Sequence, residues 1–264
     1  MVFGDLALAR RLEAAEAANT RACSPESAVL EIAGGWAVFA GAQSPLSQAL
    51  GIGLHGPVRA AEVDAIESFF ARRGAPVSFD VCPLADASLL ERLGERGYRV
   101  TEFNNVLVKR LAGGEIEFTP RVRRATASDA DLWSYTVGRG FFDQMELTAA
   151  EMDVGRAIFV MPEALCFLAA NENGEPAAGA AAAVRDGLAL LFADSTVAAF
   201  RRRGLQRELI AARLNEALAR GCDLATASTA PGSVSQRNYE RMGFRVAYTK
   251  VTLVGDAAPH ISLE

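Results

Sequence analysis

The sequence predicts two α/β domains in tandem, each a mixed, largely antiparallel sheet flanked by helices. Two observations carry this expectation. The chain has 264 residues, half of them apolar, which suffices for two domains of about 130 residues with cores of their own. The two halves also share one order of elements: helix, Arg-Gly stop, strand, Pro-containing loop, short helix, Gly-aromatic pair, strand. Arg73-Gly74 answers Arg220-Gly221, and Arg96-Gly97-Tyr98 answers Met242-Gly243-Phe244. Such an order reads as the duplication of a whole domain and not as a short solenoid repeat. The small residues Ala112-Gly113-Gly114 mark the junction, so the expected domains are residues 1–113 and 114–264.

In the second half, Arg121 to Thr126 reads as a short strand. Ser128 opens a helix with Asp129 and Asp131 in its first turn, where carboxylates favour the positive end of the helix dipole. A second helical stretch runs from Thr148 to Val160, followed by a strand from Ala164 to Ala170. Asn173-Gly174 is a hairpin signal. The Ala178 to Val184 run has helical propensity, yet turn residues bound it on both sides, so a strand is expected. Leu188 to Thr196 is the next strand. Leu205, Leu209, Ile210, Leu214 and Leu218 then share one face of a helix that Gly221 ends. Cys222 to Thr229 is a strand, Ser233 and Gln236 form a capping-box pattern, and Gly243-Phe244 has the form of a Schellman stop. Arg245 to Val254 is the final strand.

In the first half, helices are expected over Asp5 to Ala18 and Ala60 to Arg73. Strands are expected at Ala28 to Ile32, at Trp36 to Ala40 and in the alternating run Val77 to Val81. Asp86 caps a helix carrying Leu90 and Leu93, and an extended segment follows to Leu111.

Composition narrows the function. A net charge of -5 argues against a broad grip on nucleic acid. Two histidines, His55 and His260, cannot build a His-rich metal site, so no metal is expected. Cys23, Cys82, Cys166 and Cys222 form no C-x-x-C pair and fit buried thiols in a reducing compartment. With no signal-peptide pattern and no apolar run near the roughly 20 residues of a spanning helix, a soluble cytoplasmic protein is expected.

The segment Phe200-Arg201-Arg202-Arg203-Gly204-Leu205-Gln206 follows a strand and opens a helix. Such a loop aims backbone N–H groups at one point beside the positive end of the dipole, a site for a pyrophosphate. Gly204 permits close approach, and the arginines add charge-assisted contacts.

This segment resembles the acyl-coenzyme A loop of the GNAT superfamily, Arg/Gln-x-x-Gly-x-Gly/Ala. Arg201, Gly204 and Gln206 take its first, fourth and sixth positions, and Gln206 departs from the usual small residue. Ser235 to Phe244 is similar to the family's last helix, with its Tyr-x-x-x-Gly-Phe ending. Gly232 stands where many members have Asn. The resemblance implies an N-acetyltransferase that uses acetyl-coenzyme A (acetyl-CoA) as cosubstrate. It implies coenzyme contacts at Thr196, Val197, Arg201, Arg202, Arg203, Gly204, Leu205, Gln206, Ser235 and Asn238, with Tyr239 as the general acid. The coenzyme would enter between the strands ending near Thr196 and Thr229, and an N–H near Val197 would polarise the thioester carbonyl. Asp194, Asp143 and Glu146 are candidate proton acceptors. The acceptor would be the primary amine of a small molecule or peptide; sequence names neither it nor the oligomeric state. A non-catalytic acyl-CoA sensor is the alternative from another class.

A rival motif is Gly51-Ile52-Gly53-Leu54-His55-Gly56, a G-x-G-x-x-G before a helix, with Asp80 placed 24 residues after Gly56. The duplication sets it opposite Val197 to Gly204, which makes it the turn of a decayed copy rather than a dinucleotide site. Leu93 stands where the second half has Tyr239.

Overall fold

The structure is a computed structural model that describes residues 5–23, 27–42, 44, 46–114, 116 and 120–255. His260 lies outside the described residues. The chain divides into two compact units. One comprises the described residues up to Asn105 together with those from Tyr248 onward, and the other runs from Val106 to Ala247. The expected division falls at residue 113. The compact units follow another line, because two long strands each contribute residues to both units.

The first unit contains α1 (Leu6–Ala22), β1 (Ala28–Ile32), β2 (Gly35–Phe39), β3 (Gln48–Leu50), α2 (Ala60–Ala71), β4 (Ser78–Val81) and α3 (Ala87–Glu95). It also takes the start of β5 (Arg99–Arg110) and the end of β11 (Arg245–Val254). Its strand order is β1-β2-β3-β4-β11-β5. Only β3 and β4 are parallel among its registered pairs; β1–β2, β2–β3 and β4–β11 are antiparallel. Val63, Ile66 and Phe70 of α2 pack with Phe79, Leu89 and Leu93 in its main core. Asp5 caps α1 by accepting the Leu8 N–H at 2.8 Å.

The second unit contains the end of β5, then β6 (Val122–Arg124), α4 (Ala130–Phe142), α5 (Ala149–Val160), β7 (Leu165–Ala170), β8 (Pro176–Arg185), β9 (Leu188–Thr196), α6 (Leu205–Ala219), β10 (Leu224–Thr229), α7 (Val234–Arg241) and the start of β11. Its strand order is β5-β10-β9-β8-β7-β6. The pairs β6–β7, β7–β8 and β8–β9 are antiparallel, and β9–β10 is parallel.

The alanine run is the central strand β8, and packing explains its composition. Ala178, Ala180 and Ala182 face Leu205, Leu209 and Ala212 of α6, whereas Ala181 packs with Trp133 and Val137 of α4. Helices press on both faces, so small side chains are needed on both; this overrides the helical propensity of alanine. A Cβ on Gly179 would lie 2.7 Å from Val137 Cγ2. The turn Asp186-Gly187 has φ of 46° and 73°, as the hairpin between β8 and β9 requires. Among the described residues no helix is long and apolar enough to cross a membrane, and all four cysteines are buried and unbridged.

Candidate active site

The site grows from the point where β9 and β10 part. The two strands pair in parallel only from Leu188↔Leu224 to Leu190↔Thr226. Beyond Leu190, β9 bulges: its register against β8 shifts between Gly179 and Ala181, and Ala193 takes a left-handed φ of 54°. A bulge bends its strand and re-aims the side chains beside it. Asp194 follows at once and points its carboxylate into the unit.

Past β9, a short 3-10 turn leads into the Arg-rich loop. Arg202 and Gly204 both have positive φ, 64° and 80°. Gly204 is the N-cap of α6, and no side chain caps that end. The first-turn N–H groups at Leu205, Gln206 and Arg207 have no carbonyl within the helix to meet. A Cβ on Gly204 would meet nothing within 4 Å. The start of α6 is therefore an open, uncapped, positively polarised helix end. Leu205 is 2 % exposed and belongs to the core. Glu208, the acid of the first turn, is ion-paired with Arg121.

The arginines divide their work. Arg202 and Arg203 are exposed, and the Arg203 guanidinium lies 5.6 Å from the Phe200 ring centroid. Arg201 turns back instead. It donates to the carbonyls of Thr196 at 3.2 Å and Gly140 at 3.0 Å, and it pairs with Asp143 at 3.0 Å. It ties the loop to the end of α4, where a Cβ on Gly140 would strike Ser195 and Thr196.

Three further candidates meet in one cluster. Gln206 donates to the Ser235 hydroxyl at 2.8 Å and accepts from the Asn238 amide at 2.7 Å. The residue that departs from the small type thus bridges α6 to α7. Ser233 caps α7 by accepting the Gln236 N–H at 3.1 Å, but the Gln236 side chain accepts from Gly232 and not from Ser233, so the expected reciprocal box is half formed. At the other end, Phe244 N–H reaches the Tyr239 carbonyl and Gly243 N–H the Glu240 carbonyl, the two bonds of a Schellman stop.

Two of the candidate groups have partners within the unit. The Val197 N–H donates to the Ala177 carbonyl at 3.0 Å, so it is not available to polarise a thioester. Strand alternation turns the Thr196 N–H to the opposite edge, where β10 has parted from β9. The Tyr239 hydroxyl is also not a lone donor. Tyr239 is 1 % exposed, stacks edge-on against Phe244 at 4.9 Å, and donates to Asp194 Oδ2 at 2.8 Å. Arg213, wholly buried, donates to both Asp194 oxygens at 2.9 and 2.5 Å and lies 3.4 Å from the phenol oxygen. Burial drives the Tyr239 pKa well above 10; Arg213 opposes this and Asp194 adds to it. The phenol keeps its proton. Of the carboxylates considered as proton acceptors, Asp194 is committed to Arg213, Asp143 is paired with Arg201, and Glu146 is exposed.

Sequence reasoning missed Arg213 as a partner of Asp194. A single arginine on the apolar face of α6 was its only signal.

In the first unit, the described segments opposite the site bond within the unit. Its Gly53 N–H donates to the Ala33 carbonyl and its Gly53 carbonyl accepts from Asp86. Arg10 occupies the Leu54 carbonyl at 2.9 Å. The N-terminus of α2 is closed by its own Glu62, which accepts the Arg59 N–H at 2.8 Å. Asp80, the acid of the rival dinucleotide reading, is buried against Lys250. Among the described residues no acidic, Cys or His group has the composition of a metal site.

Residues 131–244, inside the second unit, match the model of the acetyltransferase (GNAT) family. No curated protein matches the chain. Among solved structures, it is similar to a GCN5-related N-acetyltransferase from Kribbella flavida at 22% identity and TM-score 0.71, over 97% of this chain and 98% of that one. A GCN5-related N-acetyltransferase from Sphaerobacter thermophilus is 17% identical with TM-score 0.59, over 90% and 78%. A tandem GNAT protein from the clavulanic acid biosynthesis pathway is 16% identical with TM-score 0.61, over 89% and 85%. These likenesses are of fold.

Proposed function

We propose, for a chain that carries a GNAT-superfamily domain at residues 131–244, that it transfers an acetyl group from acetyl-CoA to a primary amine. The observation that carries the proposal is the uncapped start of α6 beside the fork of β9 and β10, with the Tyr239 hydroxyl at that fork. Residues 114–264 are the catalytic domain on this reading, and residues 1–113 are a GNAT-like copy without a coenzyme site.

The loop N–H groups of Arg202 to Gln206 and the side chains of Arg202 and Arg203 would receive the pyrophosphate. The Thr196 edge would receive the pantetheine arm as an added strand and polarise the carbonyl from its N–H. Gln206, Ser235 and Asn238 would border the coenzyme where α6 meets α7. Val197 supports this edge through the bond of its N–H to β8, and Leu205 through its seat in the core. The unprotonated amine then attacks the thioester carbon: a C–N bond forms, the C–S bond breaks, and the Tyr239 proton passes to the departing sulfur. The surplus proton on nitrogen returns through water to the tyrosine. A cytoplasmic location accords with the four unbridged cysteines.

The test is release of free coenzyme A thiol from acetyl-CoA across a panel of small amines and peptides, with the acetylated product identified by mass spectrometry. Saturable release with at least one amine is expected. Tight coenzyme binding with no release across the panel would instead favour the sensor reading.

A further inference from the structure

The Arg213–Asp194 pair is unusual in its placement. Arg213 sits at the middle of α6, is completely buried, and spends every donor group on fixed partners. Its Nε donates to its own helix at the Leu209 carbonyl, 3.0 Å away. Its Nη1 donates to the carbonyl of Ala181 at 3.0 Å and approaches that of Phe192 at 3.4 Å. Those two carbonyls flank the bulge, where Ala181 is paired with Phe192 and the register then slips. Its two Nη atoms hold both oxygens of Asp194. One guanidinium thus fastens α6 to β8, to the bulge of β9 and, through Asp194, to Tyr239 of α7.

A buried arginine is costly to the fold unless paired, and even a paired one stabilises less than a well-packed apolar group of similar volume. The core around it is otherwise apolar, with Leu214, Ile210 and Ala217 on neighbouring turns of α6. Packing alone does not call for a cation here. The placement of the charge relative to the phenol does. The Tyr239 hydroxyl donates to Asp194, and this bond holds the phenol oxygen in place. The Arg213 Nη2 group stands 3.4 Å from the phenol oxygen, on which negative charge would develop if that proton left.

We propose that Arg213 and Asp194 are positioning residues for Tyr239: together they hold its phenol oxygen in place, and Arg213 supplies the counter-charge for the tyrosinate formed as the proton leaves. The proposal rests on the acetyl-transfer reading for its kinetic consequence, but not for its electrostatic one. It also gives Asp194 a role other than accepting the amine proton, since both of its oxygens already accept from Arg213 and one from Tyr239.

Two measurements test it. The first needs no substrate. The charged groups facing Tyr239 are Arg213 from α6 and Asp194 from β9. Asp194→Asn removes the anion and leaves the cation, a change that favours tyrosinate. The ring-carbon NMR signal of ¹³C-labelled Tyr239, assigned by its loss in Tyr239→Phe, should titrate at clearly lower pH in Asp194→Asn than in the parent. An unchanged titration overturns the proposal. The second is kinetic. Asp194→Asn should lower kcat by about 10- to 100-fold, the scale on which misplacing a reacting group acts. In the Tyr239→Phe background the same change should alter kcat by no more than about twofold, because its route of action is gone. An equal fall in both backgrounds overturns the proposal and returns Asp194 to the role of a base. Because Asp194→Asn strands a buried cation, the neutral double variant Arg213→Gln/Asp194→Asn is measured beside it. Folded, with parental circular dichroism and parental kcat, it would also overturn the proposal. A parent that releases no coenzyme A thiol yet shows the titration shift would count against acetyl transfer while supporting the hold of the pair on Tyr239.

Discussion

The Glu62 carboxylate accepts the backbone N–H of Arg59 at 2.8 Å, and its other oxygen holds the Arg59 side chain at the same distance. This contact closes the start of α2 with an anion from its own first turn. The corresponding start of α6 has a glycine N-cap and no side-chain cap. A helix end already carrying a carboxylate has less potential to take a phosphate. One coenzyme per chain is therefore expected. Isothermal titration with acetyl-CoA should give a stoichiometry near one, and a value near two would show that the first unit binds as well.

Gly204→Asp should weaken acetyl-CoA binding at least about tenfold, equivalent to about 1.4 kcal/mol. The new side chain has open space, so a clash with protein is not the cause. It places a negative charge at the phosphate end of the helix and a Cβ at φ 80°. Calorimetry checks this, and unchanged affinity would remove the loop from the binding site.

Tyr239→Phe should lower kcat by about 10²–10⁴-fold, the usual contribution of general acid catalysis. KM for acetyl-CoA should change little, since the lost interaction is made mainly in the transition state. The hydroxyl is buried and bonded to a charged carboxylate, so stability should also fall, by about 1.5–3 kcal/mol. A kcat within about twofold of the parent, measured per folded molecule, would reduce Tyr239 to a core residue with a satisfied hydroxyl.

Glu13→Gln should flatten the pH dependence of stability. In the first unit, Lys250 of β11 is buried among Glu13 and Glu16 of α1 and Asp80 of β4, with Tyr248 donating to Glu13 and the buried Cys82 nearby. Burial pushes Glu13 up from 4.5 to about 7; Lys250 pulls the other way, and Glu16 and Asp80 reinforce the rise. The folded state then binds more protons than the unfolded state between those two values, so stability falls as pH rises through that window. Tm of the parent should decline from pH 4.5 to 7. Most of that slope should be absent in the variant, although the Asp80 carboxyl, also raised by burial, retains a part. A parental slope in Glu13→Gln would assign the proton elsewhere.

Much of the fold was legible because its signals are local. Asp86 accepts from Ser88 at the start of α3, Gly243 has the positive φ of a helix stop, and Asn171 accepts from the N–H groups of Asn173 and Glu175 in the expected hairpin. The short strand β3 was harder to read, with three residues too few to show an alternation. At the candidate site, Gln206 bonds to Ser235 and Asn238, a contact that the sequence did not announce. The protein partners of the Val197 N–H and the Tyr239 hydroxyl, Ala177 and Asp194, were not legible.

By itself, then, the sequence determined the order of helices and strands, the glycine that opens α6 and the stop that ends α7. Each depends on φ preferences, capping and turn chemistry within a few residues of the chain. Only the tertiary structure decided that β11 ends beside β4, that the bulge at Ala193 turns Asp194 inward, and that Arg213 meets Asp194 and Tyr239. Strand pairing is set by contacts between residues far apart, and a buried charge finds its partner only when the elements carrying both are packed. Neither leaves a local signature to read.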